Sequence, residues 1–185
     1  MASDILETYK ALSVAFLALR TRWYVFGAQA AIFHGVARAT ADIDITVDPG
    51  THGTAEIVAG LTARGFKLRI ADEAFEKTHV LPIVHTATRV PVDVVLAGPG
   101  LEELFFQRIV EKDVGGIRIP IASAEDVIVM KVLAGRAKDL EDVKSILVAK
   151  RNLDLGQVRE TLSLLEKALD QSDLLPVFEK LNDRR

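Results

Sequence analysis

The chemistry of this chain is concentrated between Tyr24 and Val47, YVFGAQAAIFHGVARATADIDITV. Two aspartates, Asp42 and Asp44, sit one residue apart inside an Ile/Val run. Strand side chains alternate between faces, so Asp42 and Asp44 share one face while Ile43 and Ile45 enter a core. Carboxylates on such a strand are costly to bury unless something compensates them. A divalent cation is the usual compensation. Phosphoryl and nucleotidyl transfer need the triphosphate neutralised and the attacking oxygen activated. Two Mg²⁺ ions roughly 3.5–4 Å apart supply both. Asp-x-Asp gives two of the oxygen donors such ions require. Asp93, inside the apolar run Pro-Val-Asp-Val-Val-Leu, is the natural third.

These residues need elements to hold them. Trp23–Phe26 reads as a short buried strand broken at Gly27, and Gln29–His34 as a short helix stopped at Gly35. Ile43–Val47 is a second strand closed by the turn Asp48-Pro49-Gly50. Val80–His85 and Val90–Leu96 are neighbouring strands or a hairpin, with Pro91 at an edge or a strand start. Phe66–Ile70 and Gly116–Ala122 are further short strands. Helical spacing of apolar residues marks Ser3–Arg20, Thr54–Arg64 and Leu101–Lys112. After Ser123 the chain turns helical throughout: Ser123–Ala134, Leu140–Ala149, Leu155–Asp170 and Leu174–Leu181. Ser123 with Asp126 resembles a capping box, and Leu155, Val158, Leu162, Leu165 and Leu169 form an apolar stripe. The expected fold is α/β (α+β): a small mixed sheet with flanking helices over residues 1–122, and a helical region, 123–185, packed on it.

Composition narrows the field. The 185 residues are 49% hydrophobic, enough for a real core and too many for global disorder. A formal net charge of -3 argues against a broadly basic nucleic-acid binder. With no cysteine there is no disulfide framework, thiolate metal site or cysteine nucleophile. The four histidines, His34, His52, His79 and His85, lack metal-ligand spacing. The polar, acidic N-terminus has no signal-peptide pattern, and no run is long enough to span a bilayer. A soluble, cytoplasmic protein with no membrane partner is the expectation.

Phe26-Gly27-Ala28, thirteen further residues, Asp42-Ile43-Asp44 and the later Asp93 together resemble the nucleotidyltransferase superfamily. Its core is similar to that of DNA polymerase beta. Arg38-Ala-Thr-Ala-Asp-Ile-Asp resembles a subset of bacterial members. Lys131-Val-Leu-Ala-Gly-Arg136-Ala-Lys138-Asp139-Leu-Glu-Asp142 resembles the helical motif of abortive-infection (AbiE-like) toxins. The resemblance spans roughly Trp23 to Leu147.

The resemblance implies that Asp42 and Asp44 ligate Mg²⁺. Asp93 completes the site and serves as general base toward an acceptor hydroxyl. Gly27 and Ala28 face the nucleotide, with Arg38, Lys131 and Arg136 as phosphate ligands. Lys138 is a further candidate for that role. Many members carry serine where this chain has Ala28, so phosphate contact here falls to backbone amides or basic side chains. The implied activity moves a nucleoside monophosphate from an NTP to a hydroxyl of an RNA end, a protein or a small molecule. The toxin-like motif favours RNA or protein, with a possible cognate antitoxin.

Plainer readings stand beside these. The three aspartates could be strand-end carboxylates paired with Arg or Lys. Arg38 could pair with Asp42, and Lys131 could snorkel from a buried helix. Arg136 and Lys138 suit a helix C-terminus through its dipole. Asp139 is expected to cap the next helix, and Asp142 to be solvated or paired with Lys138. Against the enzyme stands a catalytically silent nucleotide-binding or interaction module of the same fold. A structural α/β domain with an acidic docking cluster is the third alternative.

Overall fold

The computed structural model describes residues 2–69, 80–98 and 100–183. Ile70, the expected end of a strand, and His79 lie outside the described residues. By internal contacts the chain forms two compact units: Met1–Gln29 with Thr40–Ala122, and Ala30–Ala39 with Ser123–Arg185.

Among the described residues, the first unit is built on a seven-stranded mixed sheet. Its strands are β1 (Trp23–Phe26), β2 (Ile43–Val47), β3 (Phe66–Leu68), β4 (Val80–His85), β5 (Pro91–Leu96), β6 (Val110–Val114) and β7 (Ile117–Ile121). Their order is β3-β4-β5-β2-β1-β7-β6. β2 lies parallel to β5 and antiparallel to β1, so the two carboxylate-bearing strands are central neighbours. Ile43, Ile45 and Val47 of β2 and Val92 and Val94 of β5 are buried. They meet the helices of this unit, α1 (Ala2–Leu19), α3 (Thr54–Thr62) and α4 (Leu101–Gln107), through a core that includes Tyr9, Leu12, Phe16, Ile57, Leu61 and Phe105. β4 and β5 pair as an antiparallel hairpin, and Pro91 opens β5, where a missing N–H removes no interior ladder bond.

One expected element is corrected. Leu101–Lys112 is not a single helix: α4 ends at Gln107, and Val110–Val114 is strand β6. The charged Glu111, Lys112 and Asp113 obscure a strand alternation, but Gly115-Gly116 should have revealed it. Both glycines have positive φ, +61° and +84°, and close a two-residue hairpin onto β7. That loop favours glycine because both central residues turn left-handed.

The division between units falls inside α2 (Gly27–Phe33), which starts two residues earlier than its sequence suggests. The second unit holds α5 (Ala124–Ala134), α6 (Ala137–Ala149), α7 (Leu155–Leu169) and α8 (Leu174–Asn182). Ser123 caps α5 by accepting the Asp126 N–H at 3.1 Å, and its hydroxyl donates to the Asp126 carboxylate at 2.7 Å. Val158, Leu162 and Leu165 are buried as the stripe requires, while Leu169 at the end of α7 is exposed. Among the described residues, no helix is long and apolar enough to cross a membrane.

Candidate active site

The carboxylates sit at the N-terminal ends of the two parallel strands. Asp44 of β2 and Asp93 of β5 are directly paired in register. Directly paired residues share a face, so their carboxyl groups project from the same side of the sheet. Both are half-buried. Asp42 is exposed one residue before β2, on the Asp44 face by alternation. Its carboxylate accepts the Thr40 hydroxyl. Asp93 accepts a hydrogen bond from the Arg69 guanidinium, so the plainer reading of a carboxylate paired with a cation holds for this residue.

Gly27 is fixed by this arrangement. Phe26 at the end of β1 pairs with Asp44, and Gly27 follows with φ +64°. A methyl built on Gly27 would lie 2.8 Å from Asp44 Cγ and 3.0 Å from its Cβ. The glycine therefore vacates the space that the Asp44 carboxylate occupies, a role its sequence context did not reveal. Beneath this site, Tyr9 of α1 is fully buried. Burial, and secondarily the negative charge of Asp44, hold its phenol well above the usual tyrosine range, so it stays protonated. Gln29 is buried and donates to the Asp42 carbonyl at 3.4 Å.

The donor set suits a hard divalent cation: it consists of carboxylate oxygens alone, from two residues in paired register and a third just before the same strand. Among the described residues, however, no three acidic or imidazole side chains converge as a ready-made metal cage. The Asp42 carboxylate instead accepts from Thr40 and the Asp93 carboxylate from Arg69. The strand register and the oxygen-only donor set fit such a cation.

Arg38, Lys131 and Arg136 are brought together in the helical unit, but around carboxylates of the chain itself. α5 ends at Gly135, which turns left-handed at φ +63°, and α6 starts two residues later. This tight join sets Lys131 of α5 against Asp139 and Asp142 of α6. The Lys131 ammonium donates to Asp139 at 3.1 Å and to Asp142 at 2.6 Å, all three groups being buried. Arg38 donates to the same Asp142 oxygen at 2.8 Å, and Arg136 donates to Asp139.

Asp142 is thus neither solvated nor a partner of Lys138. Asp139 lies in the first turn of α6, whose N-cap is Arg136, and serves the ion network instead of capping. Burial pushes the Asp139 carboxyl up, but the bonds and charges of Arg136 and Lys131 outweigh it and hold the group below its ordinary range. Arg38 pairs with Asp142, not with Asp42.

A mixed sheet that sets a strand aspartate of the Asp-x-Asp pair beside a third strand aspartate is consistent with a nucleotidyltransferase fold. The sequence profile of the family described as nucleotidyltransferase of unknown function (DUF6036) matches residues 6–174, and the chain belongs to that family. The match supports the superfamily without singling out its AbiE-like branch. No curated protein matches by sequence.

Among solved structures, the antibiotic-resistance factor ANT(2'')-Ia in solution has a TM-score of 0.63 at 13% identity, covering 92% of this chain and 95% of its own. The lincosamide antibiotic adenylyltransferase LnuA, lincomycin-bound, has a TM-score of 0.55 at 14% identity, with coverage of 81% and 98%. An antigenic nucleotidyltransferase-like protein from Paracoccidioides brasiliensis has a TM-score of 0.57 at 15% identity, with coverage of 96% and 93%. At such identities these likenesses establish the fold.

Proposed function

We propose that this enzyme is a divalent-cation-dependent nucleotidyltransferase that moves a nucleoside monophosphate from an NTP to a hydroxyl of a small molecule. The observation that carries the reading is the paired register of Asp44 and Asp93, with Asp42 one residue before the same strand. Asp42, Asp44 and Asp93 would hold Mg²⁺, which when bound supplies charge neutralisation on the triphosphate. Gly27 keeps the Asp44 carboxylate in place, and the Gly27 and Ala28 backbone takes part in seating the nucleotide. Asp93 accepts the proton of the acceptor hydroxyl as its oxygen bonds to the α-phosphorus. The bond from that phosphorus to the β-phosphate bridging oxygen breaks, and pyrophosphate leaves.

A small-molecule acceptor is favoured by two considerations. The fold neighbours include a lincosamide antibiotic adenylyltransferase and ANT(2'')-Ia, whose complex holds adenylyl-2''-tobramycin, and these match almost their full length. In addition, Arg38, Lys131 and Arg136 are engaged by Asp139 and Asp142, which neutralise much of the charge the motif could offer an RNA backbone. We assign these cations to the architecture of the helical unit, residues 123–185 together with the Ala30–Ala39 segment that carries Arg38.

A toxin acting on RNA or protein, held by an antitoxin, is the second reading, favoured by the Lys131–Asp142 motif. Growth arrest on expression would be its mark. A silent module is favoured by Ala28 alone. Thermal unfolding with Mg²⁺ and each NTP in turn separates enzyme from silent module. Native-state binding must raise the midpoint for at least one NTP, and no rise with any of the four would refute the proposal.

A further inference from the structure

One cation lies beside the proposed site without a role in it. Arg69 follows β3, and its N–H donates to the Pro82 carbonyl at 2.8 Å, which extends the β3–β4 ladder by one residue. Pro82 pairs with Asp93, Asp93 with Asp44, and Asp44 with Phe26. Arg69, Pro82, Asp93, Asp44 and Phe26 therefore form one row across five adjacent strands. Neighbouring strands stand about 4.8 Å apart, which puts Arg69 about 10 Å from Asp93 along the backbone. Pro82 occupies the position between them. The guanidinium spans that gap and bonds the Asp93 carboxylate. The two side chains are 37% and 35% exposed, so solvent and ions reach the pair.

We propose that Arg69 is a built-in counter-ion that Asp93 exchanges for a divalent cation, and that the displaced guanidinium then binds the triphosphate. This rests on the metal-dependent reading of the same site. The carboxylate row places fixed negative charge at Asp44 and Asp93 on adjacent strands, which a cation must neutralise. With no metal bound, Arg69 supplies part of that charge. A cation at Asp93 repels Arg69, and the freed guanidinium turns to the phosphate chain of the substrate. Arginine's planar fork suits phosphate oxygens as well as it suits a carboxylate. Cation entry and nucleotide capture are thereby coupled through one side chain.

The test is Arg69→Gln measured in two titrations. Mn²⁺ alone is titrated into wild type, Arg69→Gln and Asp44→Asn, with free Mn²⁺ read by electron paramagnetic resonance. The NTP that binds wild type most tightly is then titrated in saturating Mn²⁺, read calorimetrically. Losing a partly exposed competing ion pair should tighten Mn²⁺ binding by Arg69→Gln about two- to fivefold. The same variant should bind the NTP at least about fivefold more weakly, through loss of charged hydrogen bonds. A merely structural role would move both affinities in the same direction or neither. Unchanged or weaker Mn²⁺ binding by Arg69→Gln overturns the exchange, as does unchanged NTP binding. If wild type binds Mn²⁺ and Asp44→Asn does not, those failures fall on Arg69 alone. If neither wild type nor Arg69→Gln binds Mn²⁺, the metal-dependent reading falls with it.

Discussion

Replacing Gly27 with alanine tests the geometry of the carboxylate row through stability, independently of any substrate. Two penalties apply. Gly27 has φ +64°, and a left-handed conformation costs a residue with a Cβ about 1–2 kcal/mol. The new methyl also lies 2.8 Å from Asp44 Cγ, backed by a central strand, so Asp44 must shift, an overpacking cost of about 1–3 kcal/mol. The sum is about 2–5 kcal/mol.

Gly50 provides the control, since its φ is +56° and nothing lies within 4 Å of a Cβ built there. Gly50→Ala should cost only the backbone share, about 1–2 kcal/mol. Urea and thermal unfolding of both variants isolate the Asp44 contribution as their difference. In an Asp44→Ala background that difference should shrink, because contacting residues are not additive. Equal destabilisation of Gly27→Ala and Gly50→Ala would refute the argument that the glycine exists to make room for Asp44.

Further expectations concern the helical unit. Lys131→Met leaves Asp139 and Asp142 buried with less compensation and should destabilise the protein by about 3–5 kcal/mol. Arg136→Met, from a side chain 64% exposed, should cost under about 1 kcal/mol, and denaturant midpoints compare the two. The Asp139 carboxyl titrates below its ordinary range in the folded protein, so its contribution is fully present above that range and is lost as pH falls through the folded value. The unfolding midpoint of wild type should therefore fall more steeply below about pH 4 than that of Asp139→Asn. Parallel curves would contradict the network.

Much of the sheet was legible because its strands carry local signals. The Asp-x-Asp strand, the hairpin of β4 and β5 and the proline opening β5 follow from alternation and turn chemistry. β6 was hidden because three charged residues in its middle imitate a solvated helix end, although the diglycine turn was in plain view. Asp139 and Asp142 resembled surface carboxylates, since helical spacing alone does not show that the α5–α6 turn folds Lys131 over them. A lysine inside an apolar helix followed by acids three apart was the available clue. Arg69 was illegible in principle: its partnership with Asp93 arises from register across three strands, which no local pattern encodes. The role of Gly27 was half legible, as a turn glycine whose neighbour only the pairing of β1 with β2 reveals.

The most direct test of nucleotidyl transfer at this row is incubation of wild type and Asp44→Asn with α-phosphorus-labelled NTPs, Mg²⁺ and a cell extract, the product being sorted by size. Wild type should label a small molecule, and Asp44→Asn, shown to be folded by circular dichroism, should be slower by at least about 100-fold. Equal labelling by the two proteins, or no labelled product from wild type with any NTP, would contradict the account.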